Sequence, residues 1–123
     1  MKMNFNKRDP VYLQVIRHFK ERIATGALLP GEEIPSRREL ANNLKINPNT
    51  AQRAYKEMEE QGLIKTEGNL PSKITNDPDI LASVRSELIR DAVDNFIAAI
   101  KPIHVPIDEV ITLLKEKYEK DEI

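Results

Sequence analysis

The chain has 123 residues, no cysteine and a formal net charge of −1. This length predicts one small domain with an appendage, and the lack of cysteine excludes a disulfide framework, a thiol nucleophile and a thiolate metal site. No apolar run approaches the ~20 residues of a membrane span, and the N-terminus lacks the apolar core of a signal peptide, so we expect a cytoplasmic protein without membrane contact.

The charge is distributed unevenly along the chain. Residues 1–75 carry a net charge of +4, whereas residues 76–123 carry −5. A basic part joined to an acidic part indicates that only the first part faces a polyanion. We therefore predict two domains, with a boundary after Thr75.

The basic domain begins with two predicted helices. Asp9-Pro10 is expected to cap and start the first, and Gly26 to end it. Its apolar side chains recur at spacings of three and four, which indicates a buried face: Tyr12, Val15, Ile16, Phe19 and Ile23. The second helix is expected at Ser36, because Glu39 three residues later completes a capping box.

A third helix is predicted at Asn47-Pro48, with asparagine as N-cap and proline in the first turn. About three residues separate it from the second helix, which is the spacing of a helix-turn-helix. The spacing places apolar side chains on an inward face, namely Ala51, Ala54, Tyr55 and Met58, and polar ones on an outward face, namely Asn49, Gln52, Arg53 and Lys56.

The outward face has two interpretations. A polar helix face is most often only a solvated face, and this one alone would favour that interpretation. However, the acids Glu57, Glu59 and Glu60 all lie in the C-terminal half of the helix, where a solvated helix would place acids in the first turn. Amide and guanidinium groups free of nearby acids suit the base edges of a DNA major groove.

Two short strands are predicted next, Leu63-Ile64 and Lys73 to Thr75, around a turn at Gly68-Asn69 and after a helix stop at Gln61-Gly62. Three helices followed by a β-hairpin, or wing, predict a winged helix-turn-helix. The predicted fold class is therefore mainly α with a small β-hairpin.

Residues 10–64 contain four short motifs in order, P-x-Y-x-Q, G-x-L-x-P-G, P-S-x-R-x-L-A and x-G-L-I. With these motifs the chain resembles the GntR family of bacterial transcription regulators, and its NPNT sequence is similar to that of the YtrA-like branch. The resemblance implies that Arg38 contacts DNA and that Ser36 and Arg37 lie close to the DNA backbone. It also implies contacts from the first turns of the third helix: Asn49, Thr50, Gln52 and Arg53. Lys56 joins this set from the outward face.

The chain departs from the family pattern at three places. Many members have arginine where this chain has Pro48 and Gln52, so the base preferences of those members do not carry over to this chain. The turn before the third helix usually has glycine where Lys45 stands, which implies strain if its φ is positive. The glycine-rich wing is replaced by GNLPSKI at residues 68–74.

The acidic domain, residues 76–123, is predicted to contain two amphipathic helices, from Asp79 to about Lys101 and from Pro106 to about Lys120. So short a segment cannot bury two apolar faces alone or enclose a ligand pocket, so a second copy of the chain is the expected partner. The YtrA-like resemblance likewise implies a dimerisation tail. The predicted dimerisation residues are Leu81, Val84, Leu88, Ala92, Phe96, Ile100, Val110, Ile111 and Leu114.

We therefore expect a homodimeric repressor that binds an inverted repeat in double-stranded DNA, and the resemblance implies targets beside transporter operons. The alternative is a winged-helix scaffold for protein interactions. An enzyme is not expected, since neither His18 nor His104 has a metal-binding or catalytic partner at a suitable spacing. No cofactor is predicted, and no effector is specified.

Overall fold

The computed structural model describes residues 2–121 and is mainly helical with one small antiparallel sheet. By internal packing, residues up to Leu88 form one compact unit and residues from Ile89 on form another. The fold class expected from the sequence is confirmed. In chain order the elements are α1 (Val11–Thr25), α2 (Arg37–Leu44), α3 (Pro48–Glu60), β1 (Ile64–Lys65), β2 (Lys73–Ile74), α4 (Pro78–Ile100), a short 3-10 helix (Lys101–Ile103) and α5 (Ile107–Asp121).

α1 starts differently from the prediction. Pro10 is its N-cap and makes no side-chain cap, so the expected capping role of Asp9 is wrong. Instead the Asn6 side-chain oxygen accepts hydrogen bonds from the backbone N–H groups of Arg8 and Asp9, both at 3.0 Å, which closes the preceding loop. The predicted stop at Gly26 is confirmed, with a left-handed φ of 80°.

The helix-turn-helix is held by local caps that the sequence predicted. The Ser36 hydroxyl accepts from the Glu39 backbone N–H at 3.1 Å, and the Glu39 carboxylate accepts from the Ser36 backbone N–H at 3.3 Å. The Asn47 side chain accepts from the Asn49 backbone N–H at 2.8 Å, and Pro48 occupies the first turn of α3. These bonds satisfy N–H groups that a helix start would otherwise leave without partners.

Lys45 lies in the turn between α2 and α3 with a left-handed φ of 55°. Since a left-handed backbone brings a side chain too close to its own carbonyl, replacing Lys45 with glycine should raise the free energy of unfolding by about 0.5–1 kcal/mol. Urea denaturation of the Lys45→Gly variant measures this gain. As a matched control, Lys56→Gly in α3 should lose about 0.5 kcal/mol, because glycine is a poor helix former. A loss of stability at both positions would contradict the strain at Lys45.

The hairpin pairs Ile64 with Ile74 and Lys65 with Lys73. A further backbone segment, which the sequence pattern did not indicate, lies along the other edge of β2. There Ile34 N–H donates to the Ser72 carbonyl and Ile74 N–H donates to the Glu32 carbonyl, each at 2.9 Å. The wing is thus anchored on both edges of β2, and not only by its partner strand.

The core of the first unit joins α1, α2, α3, the hairpin and the start of α4. Val84 of α4 is only 1% exposed in this core, and Leu81 and Leu88 pack against it. Glu87 of the same helix accepts two hydrogen bonds from the buried Lys20 ammonium, both at 2.9 Å. The structure therefore places Leu81, Val84 and Leu88, which were predicted as dimerisation residues, in contacts within this unit.

The second unit contains the C-terminal part of α4 and the helix α5, and many of its apolar side chains are exposed. Phe96, Ile111 and Leu114 are 37%, 42% and 47% exposed, respectively. An apolar groove of about 270 Å³ runs between the two helices, lined by Phe96, Ile100, Val105, Val110, Leu113 and Leu114 together with two charged residues of α5. Within residues 2–121 no helix is both long and apolar enough to cross a membrane.

Candidate nucleic-acid interface

The start of α2 presents the three residues of the SRR sequence in different ways. Ser36 caps the helix, so its hydroxyl is already engaged by the backbone. Arg38 is exposed, and among the residues that the structure describes it has no hydrogen-bond or ion-pair partner. An unpaired guanidinium at an exposed helix start is available to a phosphate or a base edge.

Arg37 is tied into the protein. Its Nη2 donates to Glu59 Oε1 at 2.6 Å, and its guanidinium lies 5.4 Å from the centre of the Tyr55 ring. The same Glu59 oxygen accepts from the Thr66 hydroxyl at 3.0 Å. One carboxylate of α3 therefore joins α2 to the wing, and the predicted DNA contact of Arg37 is limited to the donors that this arrangement leaves.

Tyr55 holds the loop that leads into α2. Its ring is fully buried and meets the Phe19 ring edge-on at a centroid distance of 6.1 Å. Its hydroxyl donates to the backbone carbonyl of Pro35, directly before the Ser36 cap. Burial raises the pKa of the Tyr55 hydroxyl, an effect that the nearby Arg37 charge partly opposes. The hydroxyl therefore stays a hydrogen-bond donor and holds the loop that leads to Arg38.

The two faces of α3 are separated as the spacing predicted. Ala51, Ala54, Tyr55 and Met58 are all 0% exposed. On the opposite side, the side chains available to a partner are Asn49, Gln52, Arg53 and Lys56, all exposed, with Thr50 half-buried beside them. The first two turns of α3 contain no acid, and Glu59, further along, accepts hydrogen bonds inside the protein.

Arg53 contacts Tyr12, a residue whose spacing in α1 predicted a buried position. Its guanidinium carbon lies 3.9 Å from the centre of the Tyr12 ring, and its Nη2 donates to the Tyr12 hydroxyl at 3.0 Å. The two residues are 41 positions apart, so no local signal could have indicated the pair.

The wing approaches the start of α2. A groove of about 710 Å³ is lined on one side by Ser36, Arg37 and Arg38 and on the other by the wing loop from Gly68 to Ser72. Leu70 at the tip of this loop is 60% exposed. The wing and the helix-turn-helix thus form one continuous surface.

A helix-turn-helix whose second helix exposes amide and cationic groups, with a wing beside it, defines a DNA-binding winged-helix transcriptional regulator. Residues 11–72 match the model of the family described as bacterial regulatory proteins, gntR family. The chain belongs to the GntR family.

Curated relatives support this membership along the chain. YhcF of Bacillus subtilis strain 168, named an uncharacterized HTH-type transcriptional regulator, is 32% identical over 115 residues, which are 94% of this chain and 95% of YhcF. The HTH-type transcriptional repressor YtrA of the same strain is 47% identical over 57 residues, which are 46% of this chain and 44% of YtrA. The resemblance to the YtrA-like branch is thereby confirmed.

Most of the chain also resembles a solved structure. A GntR family transcriptional regulator from Listeria monocytogenes aligns with a TM-score of 0.83 at 29% identity, covering 91% of this chain and 98% of that one. The matching family and the relatives named above are transcriptional regulators, and not enzymes.

Proposed function

We propose that the protein is a homodimeric repressor that binds an inverted-repeat operator. The single observation that carries the proposal is the exposed face of α3, which has no acid in its first two turns. It lies in one helix-turn-helix with Arg38, which is exposed and has no hydrogen-bond or ion-pair partner among residues 2–121. The proposed contact residues are Ser36, Arg37, Arg38, Asn49, Thr50, Gln52, Arg53 and Lys56.

The chemistry of each side chain suggests its role. Arg38 and Arg53 can donate two hydrogen bonds to the O6 and N7 atoms of guanine, and the amides of Asn49 and Gln52 match adenine. Lys56 and the hydroxyl of Thr50 suit phosphate oxygens. Because the Ser36 hydroxyl and part of the Arg37 guanidinium are occupied within the protein, these two residues position the start of α2 more than they read bases.

Dimerisation is proposed from the exposed apolar side chains of the second unit. Ala92, Phe96, Ile100, Val110, Ile111 and Leu114 are the predicted dimerisation residues that lie there, whereas Leu81, Val84 and Leu88 already pack within the first unit. Two copies related by a twofold axis would place their α3 helices in half-sites separated by about one duplex turn or a multiple of it. In this division of roles, residues 1–75 contact DNA, and within residues 76–123 the association falls to the part beyond Leu88.

The regulatory sign and the target rest on similarity. Repression is supported by the name of the relative YtrA, a transcriptional repressor. The YtrA-like resemblance suggests a target beside a transporter operon. Selecting bound fragments from the source genome would test the target, since it yields the operator, its spacing and the neighbouring genes.

The Arg38→Ala variant tests the proposed interface. Loss of a direct base contact should weaken binding to the selected operator duplex by about 1–3 kcal/mol, measured by fluorescence anisotropy. Arg85→Ala, which removes an exposed arginine of α4 outside the proposed interface, is the matched control and should bind as the wild type does. Equal affinities for the wild type and Arg38→Ala would contradict the site.

The scaffold alternative makes a different prediction about salt. Contacts with phosphates release counterions, so operator affinity should fall steeply as salt concentration rises, with a slope of about 0.9 per phosphate contact on logarithmic axes. A scaffold that meets DNA only weakly would enrich no sequence in the selection. The two functions are thus separated by the selection together with the salt titration.

A further inference from the structure

We propose that Tyr12 is a positioning residue for DNA reading, because it holds the Arg53 guanidinium in place before DNA arrives. The inference rests on the proposed function, in which Arg53 contacts a base. It assigns a role to the tyrosine of the P-x-Y-x-Q motif, which the sequence analysis had placed in the buried face of the first helix.

The two contacts of the pair restrict Arg53 in complementary ways. The guanidinium carbon lies 3.9 Å from the centre of the Tyr12 ring, so the planar group is held against the ring face. The hydrogen bond from Nη2 to the Tyr12 hydroxyl, at 3.0 Å, fixes the direction of the plane. An arginine side chain has many rotamers, and holding it in one of them reduces the entropy lost on binding.

The contact with Tyr12 leaves Arg53 available to DNA. Arg37 is paired with the Glu59 carboxylate at 2.6 Å, so its charge is balanced inside the protein. The ring of Tyr12 instead supplies an aromatic face and one oxygen acceptor. Since a guanidinium carries five N–H donors, Arg53 keeps most of them for a base or a phosphate.

Tyr12 is itself held firmly. It is half-buried and packs against the core of the first unit. The glutamine of the same motif braces the start of α1: Gln14 accepts from the Asn6 backbone N–H at 2.9 Å and donates to the Asp9 carbonyl at 2.8 Å. The ring therefore forms a fixed platform, and not a second mobile side chain.

A double-mutant cycle tests this role on a duplex enriched by the wild type from genomic fragments. Tyr12→Leu should weaken binding about threefold to tenfold in the wild-type background and leave it nearly unchanged in the Arg53→Ala background. Tyr12→Phe, which keeps the ring and removes the hydroxyl, should give an intermediate loss. Equal losses in both backgrounds would overturn the inference, because Tyr12 would then act independently of Arg53. Tighter DNA binding by the Tyr12→Leu variant would also overturn the inference, since Tyr12 would then compete with DNA for the Arg53 guanidinium.

A measurement without DNA checks the pair directly. In NMR spectra of the free protein, the Arg53 side-chain protons should be shifted by the Tyr12 ring current, and Tyr12→Leu should abolish that shift while the thermal transition is retained. Absence of the shift in the wild type would overturn the inference. If the wild type enriches no sequence, the proposed function fails and the role of Arg53 with it, whereas enrichment without coupling overturns the role of Tyr12 alone.

Discussion

Replacing Ile111 with aspartate is expected to convert the proposed dimer into monomers and to weaken operator binding at least a hundredfold. Ile111 is 42% exposed on α5, and a carboxylate there would lose its water in an apolar interface without gaining a partner. Once the copies separate, each half-site is bound alone, and linked binding ordinarily contributes a factor of about 10²–10⁴. Sizing by light scattering at micromolar concentration and anisotropy on the operator duplex measure the two effects.

Thr112→Asp provides the matched control for this prediction. Thr112 is the next residue on α5, exposed on the polar side near Asp108, so the substitution adds the same charge outside the apolar face. It should remain a dimer and bind DNA with little change. A stable wild-type monomer, or an Ile111→Asp variant that stays dimeric, would contradict the proposed interface.

Replacing Phe19 with alanine is expected to destabilise the DNA-binding unit by about 3–5 kcal/mol, through lost burial and the cavity left behind. Phe19 is 0% exposed and meets the Tyr55 ring, which in turn holds the loop before α2. Since small domains have only about 5–15 kcal/mol of stability, this change removes a large share.

Thermal unfolding followed by circular dichroism should show a Tm lowered by more than about 10 °C for Phe19→Ala. Leu13→Ala on the same helix is the control, because Leu13 is 43% exposed and leaves no enclosed cavity. Its Tm should change by only a few degrees. A Phe19→Ala variant as stable as Leu13→Ala would show that the core does not depend on this ring.

Features set by neighbouring residues were predictable from the sequence. The capping box of Ser36 and Glu39, the start of α3 at Pro48 and the stop at Gly26 each depend on contacts within a few positions, and all three are confirmed. The cap assigned to Asp9 failed although it is local, because the Asp9 carboxylate instead accepts a hydrogen bond from the Asn6 side-chain amide, three residues earlier, at 3.3 Å.

Features that depend on distant residues were not predictable. The pairing of Arg37 with Glu59 joins positions 22 apart, and an arginine predicted to face DNA is partly used inside the protein. The stripe of α4 looked uniform in the sequence, yet Val84 completes the core of the first unit while Phe96 is exposed in the second. Periodicity indicates that a face is apolar, but it does not indicate which partner covers each part of it.

The Glu59 carboxylate has a consequence for engineering new specificities. Because the Glu59 Oε1 atom accepts hydrogen bonds from both Arg37 and Thr66, these bonds link α3 to α2 and to the wing. A recognition helix transplanted from this protein into a relative would therefore need an arginine and a hydroxyl at the matching places in its host. A chimera lacking them would leave the Glu59 carboxylate without these two donors, so residues 36–72 should be transplanted together, into a host that has a tyrosine at the place of Tyr12.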